Sequence, residues 1–250
     1  MIDDRFPPTL YIVPTRLSEG DPRLVLPAHA IEVAAALDHF VAENAKSARA
    51  FLKAIRHPKP LRDILIEELN EHTPRSRIPG LLAPLRAGVS LGLLADAGCP
   101  VVADPGAPLV SAAHQLGVPV RPLVGPSSIL LALIASGFPG QRFAFHGYLP
   151  LTKSSREERL KSLEAESRQR DQTQIFIEAP YRNLQLLDAM ISCCEAETLL
   201  CVASDLTAST ERVTTRSVAS WRARRERPEI LRRPAVFLLY AGSTSLQRRD

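Results

Sequence analysis

Two aspartates and a pair of serines stand where apolar runs of this chain stop, and their spacing is the first sign of chemistry. Asp96 closes the run Val89–Ala95 and is followed by Ala97, Gly98, Cys99 and Pro100. Asp104 opens Asp104-Pro105-Gly106, and Ser127 and Ser128 follow Val118–Val124 and Gly125-Pro126. A carboxylate accepts hydrogen bonds from hydroxyl or ammonium groups. Small neighbours let a backbone come close to whatever it holds. A serine at the start of a helix can cap it, and the free N–H groups there can meet a polar ligand. Further on, Lys153 and Arg156 lie where a helix begins, which makes them candidates for phosphate contacts. Taken singly, each loop also reads as plain connecting turn chemistry. Together, at the ends of adjacent apolar runs, they point to one ligand site.

The elements that must position these residues follow from periodicity. Short apolar runs bounded by Gly and Pro read as buried strands: Leu10–Val13, His39–Ala42, Val89–Ala95 and Val118–Val124. Between them Pro27–Leu37, Lys46–Ile55, Ser76–Ala87 and Ala107–Leu116 carry helical spacing, with Gly117 suited to end the last. Leu61–Leu69 suits a helix by propensity alone. In the second half, strands are expected at Phe143–Gly147, Gln174–Ile177, Leu199–Ala203, Arg212–Ser217 and Ala235–Tyr240. Helices are expected to about Gln169, capped by Ser154 or Ser155, and over Leu184–Cys194. Strand–helix alternation of this kind is α/β, and in open α/β sheets ligands sit beyond the carboxyl ends of the strands.

Composition excludes several classes. The chain has 250 residues, enough for one or two domains with real cores. Its 31 Lys+Arg against 27 Asp+Glu leave a net charge of +4, which permits a nucleic-acid partner without demanding one. Six arginines between Trp221 and Pro234 form the densest basic stretch, suited to RNA phosphates or simply to solvent. Cys99, Cys193, Cys194 and Cys201 form no C-x-x-C pair, so zinc is not expected, and a reduced, cytosolic chain is the economical reading. The opening Met-Ile-Asp-Asp-Arg-Phe-Pro-Pro lacks the apolar core of a signal peptide. No apolar run reaches the roughly 18 residues of a membrane span. Walker A, G-x-G-x-x-G and nucleophile-elbow signatures are absent, which argues against nucleotide-hydrolysing and α/β-hydrolase chemistry.

The blocks Ala-Asp-Ala-Gly-Cys-Pro, Ala-Asp-Pro-Gly, Pro-Leu-Val-Gly-Pro-Ser-Ser, Ala-Ser-Gly-Phe-Pro and Gly-Tyr-Leu-Pro arrive in one order. In that order they resemble the tetrapyrrole methylase superfamily, and most closely its branch of ribosomal RNA small-subunit methyltransferases. The resemblance spans roughly residues 9 to 241. It implies two α/β domains, 1–121 and 122–250, with S-adenosyl-L-methionine in the cleft between them, and a cytoplasmic homodimer. It also implies methyl transfer to a cytidine ribose 2′-hydroxyl of 16S rRNA or the small ribosomal subunit, with no metal. The alternatives are another RNA or a small molecule as acceptor, or a protein that binds cofactor and RNA without catalysis.

Residue by residue, the resemblance implies that Asp96, Ala97, Gly98 and Cys99 receive the methionine end or ribose of the cofactor. Asp104, Ser127 and Ser128 would border it, and Pro14 would shape the first loop together with Gly20 and Asp21. Glu178, Ala179, Pro234 and Ala235 would close the adenine side. The family's Glu-Ser-Pro-His-Arg block is matched here by Glu178-Ala179-Pro180-Tyr181-Arg182, with Ala179 and Tyr181 as departures. Arg182 would face substrate, or else pair with Glu178. Asn44 stands where the family carries an acid, and an amide cannot serve as a base. Glu43 beside it remains. On the substrate side the set is Asn44, Lys153, Arg156 and Arg182. The general base stays unassigned, with Glu43, Glu178 and Tyr181 as candidates. For residues 61–69 the family implies a strand.

Overall fold

In a computed structural model, which describes residues 7–224 and 227–242, the first sheet contains five parallel strands in the order β3-β2-β4-β1-β5. They are β1 (Leu10–Val13), β2 (His39–Ala42), β3 (Leu65–Glu68), β4 (Leu91–Leu94) and β5 (Val120–Pro122). Alternate side chains feed two separate cores. Phe40, Ala42 and Leu94 pack with Val33, Ala34 and Leu37 of α1 (Ala28–Ala36) and with Ala48, Phe51 and Leu52 of α2 (Ala45–Ala54). Val41, Leu91 and Leu93 face the opposite way. There they meet Ile78 and Leu81 of α3 (Ile78–Leu81), Leu85 of α4 (Ala83–Arg86) and Leu109 and Ala113 of α5 (Ala107–Gln115). A sheet covered on both faces explains why its strands read as unbroken apolar runs. Each fully buried Leu or Phe contributes about 1.5–3 kcal/mol, so these layers, not the loops, hold the sheet.

The second sheet runs β6-β7-β10-β8-β9. Its strands are β6 (Phe143–Tyr148), β7 (Thr173–Ile177), β8 (Leu199–Ser204), β9 (Arg212–Ser217) and β10 (Ala235–Tyr240). β6 and β7 are parallel, and every other pairing is antiparallel. In register, Phe237 lies against Phe176, with ring centroids 6.3 Å apart and planes 4° from parallel. Those rings join Leu160 and Leu163 of α7 (Lys153–Arg170), Leu186, Leu187 and Met190 of α8 (Asn183–Cys193), and Trp221 of α9 (Val218–Ala223) in one core. The apolar helix α6 (Ser128–Ser136) packs on β8, β9 and β10. By contacts the chain divides into two units, Met1–Ser127 and Ser128–Asp250.

Three sequence expectations change in detail. The span 76–87 is not one helix: a 3-10 turn at Arg75–Arg77 leads into two short helices, α3 and α4. Pro79 and Pro84 each sit in a first turn, where a missing N–H costs nothing and a longer helix would be broken. Helix α7 is capped by Thr152, whose hydroxyl accepts from Ser155 N, so Ser154 and Ser155 lie inside the helix rather than at its cap. Residues 61–69 hold a 3-10 turn at Leu61–Asp63 and then β3, the strand that the family resemblance implied and propensity did not. Arg225 of the arginine-rich stretch and the N-terminal residues 1–6 lie outside the described residues. Among the described residues no helix is long and apolar enough to cross a membrane.

Candidate functional site

In the first unit, the loops beyond the strand ends are tied to one another by specific contacts. Pro14, buried, follows β1 and leads to Thr15, whose N–H donates to Gly98 O at 2.9 Å while its hydroxyl donates to Ala95 O at 3.3 Å. The Cys99 thiol donates to Pro126 O at 3.4 Å. A Cβ built on Gly125 would lie 2.3 Å from Pro14, so only glycine lets these two loops meet. Gly98 takes φ +74°, the left-handed region, with Leu17 and Pro126 closing around it. The loops after β1 and β4 and the Gly125-Pro126 turn therefore form one edge. Thr15, which ties the β1 loop to the end of β4, was missed; a lone threonine after a proline carries no motif.

The acids sit on this edge with different surroundings. Asp96 and Ala97 are exposed, while Gly98 is buried. Asp104 is mostly buried, and its Oδ1 accepts from Gly106 N at 2.8 Å and Val101 N at 3.2 Å. Its Oδ2 is buried with no hydrogen-bond partner among the described residues. Burial pushes the Asp104 carboxyl above the ordinary range, against the pull of those two N–H groups, and the charge of Asp96 adds to the rise. The same loop holds Val101 at φ 75° and Ala103 at φ 59°. A β-branched residue there is a true outlier, and such strain concentrates at functional sites.

Glu43 follows Ala42, whose register partner is Leu94, so it borders the Ala95–Asp96 step of the neighbouring strand. Burial raises its pKa, and Asp104, Asp96 and Glu71 raise it further by like charge. Asn44 is occupied otherwise. Its Oδ1 accepts from Lys46 N at 2.8 Å and Ser47 N at 3.3 Å, capping α2. Ser127 immediately precedes α6, and Ser128 is its first residue.

In the second unit the ends of β7 and β8 meet the start of β10. Val236 pairs with Ile177, so the next step brings Glu178 beside Ala235. Asp205 N donates to Pro234 O and Arg232 N to Pro180 O, both at 3.0 Å. Glu178, only 4% exposed, directs Oε1 at three donors: Ala179 N at 2.7 Å, Arg182 Nε at 3.0 Å and Arg182 Nη2 at 2.6 Å. Its Oε2 is buried without a partner among the described residues. Of the two sequence readings for Arg182, the structure shows the pairing with Glu178. Tyr181 is 64% exposed, with the Arg182 guanidinium 5.4 Å from its ring centroid. Asn183, fully buried, donates from Nδ2 to Ile230 O at 3.1 Å and Arg233 O at 2.7 Å, pinning the segment before β10. Neither Asn183 nor Asp205, which pairs with Arg233 at 2.5 Å, gave any signal in the sequence.

Lys153 is exposed at the start of α7, 3.9 Å from Glu157. Arg156, also expected to face phosphate, is instead only 6% exposed, and Nη1 turns back to Leu151 O at 3.3 Å. It braces the turn into α7 rather than projecting from it. Among the described residues no group of three or more His, Cys, Asp or Glu could hold a metal ion.

The family model of Tetrapyrrole (Corrin/Porphyrin) Methylases matches residues 14–220, which include the laced strand ends, Glu43, Asp96, Asp104 and Glu178. The chain belongs to the tetrapyrrole methylase family. Among similar members, the "Ribosomal RNA small subunit methyltransferase I" of Vibrio cholerae serotype O1 is 33% identical over 207 residues, 82% of this chain and 67% of that one. The protein of the same name from Xylella fastidiosa is 32% identical over 238 residues, 95% of this chain and 82% of that one. In fold, the crystal structure of the methyltransferase CobJ superposes with a TM-score of 0.62 at 16% identity, covering 94% of both chains. In each unit one buried carboxylate oxygen, Asp104 Oδ2 in the first and Glu178 Oε2 in the second, is left able to accept a hydrogen bond from a ligand donor.

Proposed function

We propose that this methylase transfers a methyl group from S-adenosyl-L-methionine to a ribose 2′-hydroxyl of 16S rRNA in the small ribosomal subunit. The observation that carries the cofactor half is the Asp104 carboxylate, buried at the joined strand ends with Oδ2 unpartnered. A buried acceptor left unsatisfied costs about 1–3 kcal/mol, and a ligand donor would recover it. The rRNA half is supported by the names of the relatives at 32–33% identity.

When bound, S-adenosylmethionine supplies a methyl on a sulfonium, a leaving group that needs no activation. In the first unit, Pro14, the Asp96–Cys99 loop, Asp104 and Ser127 would hold that group. Its remaining work is to align the acceptor and to take its proton. We assign the proton to Glu43, since burial, helped by its acidic neighbours, holds its carboxyl above the usual range and so nearer to working pH. Asn44, used as a helix cap, and Arg182, paired with Glu178, are left with orienting roles at most. Tyr181 and Lys153, both exposed, are the side chains that would meet RNA. We further infer a cytoplasmic homodimer.

The test is calorimetric titration with S-adenosylhomocysteine, followed by methyl uptake into small subunits lacking the modification. Saturable binding and a methylated ribose, read by nucleoside digestion, are expected. Cofactor binding with methyl on a base would overturn the acceptor, and absence of binding with and without subunits would overturn the whole reading.

A further inference from the structure

At the far end of α8 from Asn183, two cysteines stand side by side outside everything described above. Cys193 is the last helical residue and half-buried, and Cys194 is the cap, 2% exposed, with its N–H on Met190 O. Their sulfurs are 4.0 Å apart. The backbone on both sides is anchored. Arg222 donates from Nε to Ile191 O at 2.9 Å and from Nη2 to Cys194 O at 2.8 Å, so one guanidinium grips the last turn. Downstream, the buried Glu164 carboxylate accepts from Glu195 N at 2.8 Å and from the Thr198 hydroxyl. The two thiols are thus held as a fixed pair, with Cys193 the accessible member.

We propose that Cys193 and Cys194 form a two-thiol chelate for a thiophilic trivalent metalloid, with arsenic(III) as the chemical type. Three features select that ligand. Adjacent Cα atoms are about 3.8 Å apart, below the roughly 4.4 Å minimum of ordinary disulfides, so a direct S–S bond is strained and a bridging atom is not. Zinc would need two further ligands, and among the described residues no group of three or more His, Cys, Asp or Glu could hold a metal ion. An organoarsenic(III) centre needs only two sulfurs, its third bond being to carbon. The product is also uncharged, which suits a half-buried site at a helix C-terminus, where anions are disfavoured.

The step balances. An arsenic(III) oxide, R–As=O, condenses with both thiols to give R–As(S)2 and one water; no electrons are transferred. The hydrogen bond between the two thiols lowers the Cys193 pKa, and with its greater exposure this makes Cys193 the first sulfur to bond.

The experiment is intact mass spectrometry of the reduced, native full chain treated with one equivalent of phenylarsine oxide. One phenylarsenic group is expected per chain, retained in excess monothiol and removed by a dithiol such as ethanedithiol. Cys193→Ala should abolish the monothiol-resistant adduct, whereas Cys99→Ala should keep it. Should buried Cys194→Ser fail to fold, Cys193→Ala still decides, because its side chain is only half-buried. An adduct that survives Cys193→Ala, one that monothiol strips from the native chain, or none at all would overturn the assignment.

Discussion

Gly125 and Pro14 meet so closely that a Cβ on the glycine would lie 2.3 Å from the proline's Cβ and Cγ. Neither the backbone of the β1 loop nor a proline ring can yield by flexing a side chain, so any larger residue must push two strand ends apart. Gly125→Ala is expected to cost about 1–3 kcal/mol as overpacking. It should also weaken S-adenosylhomocysteine binding more than the same loss of stability placed elsewhere in the sheet. Urea unfolding and calorimetric titration of the same variant check both; unchanged affinity would detach this contact from the ligand.

Asp96 offers the opposite test because it is exposed. Asp96→Ala should leave stability within about 0.5 kcal/mol of the parent, as surface substitutions do. Cofactor affinity should fall by about tenfold or more, the loss of one charged hydrogen bond. Equal affinity in the two proteins would remove Asp96 from the site.

Glu43 links rate to pH. Its folded pKa is raised, so it gains its proton at a higher pH than an ordinary glutamate, and as a base it works only above that folded value. The methylation rate should therefore fall on acidification, with its midpoint above the ordinary glutamate range. The sign for stability is reversed. A carboxyl whose pKa rises on folding binds its proton more tightly when folded, so ionisation destabilises the fold as pH climbs from the unfolded pKa through the folded one. Asp104 acts in the same direction. Glu43→Gln should thus lose about 10²–10⁴ in rate, keep S-adenosylhomocysteine affinity, and unfold at the same or a higher urea concentration at neutral pH. Full activity in this variant would refute the role.

Arg182 places two N–H groups on Glu178 Oε1 while Oε2 has no partner among the described residues. Removing one member of a buried pair strands the other charge. Arg182→Ala should therefore cost about 3–5 kcal/mol, and the double variant with Glu178→Gln should recover part of that. A double-mutant cycle by urea unfolding measures the coupling. Strict additivity would show that the pair does not act as a unit.

Much of this architecture was legible in the chain. Apolar runs cut by Gly and Pro marked the parallel strands, because a sheet covered by helices on both faces has no polar side to alternate with. Asp96, Asp104 and Ser127–Ser128 were visible for the same reason: a strand end in such a sheet is where polar residues first return. The β3 strand was legible only through family resemblance, since Leu61–Leu69 has helical propensity and only pairing with β2 makes it a strand. What tertiary structure decided was the use of each polar side chain. Asn44 caps α2, Arg156 braces its own turn and Arg182 pairs with Glu178, because each finds a backbone or carboxylate partner nearer than solvent. Thr15, Asn183 and Asp205 gained their roles from partners 80, 47 and 28 residues away, as with Thr15 to Ala95. Local pattern reports which face a residue takes; only the folded chain decides which distant atom it meets there.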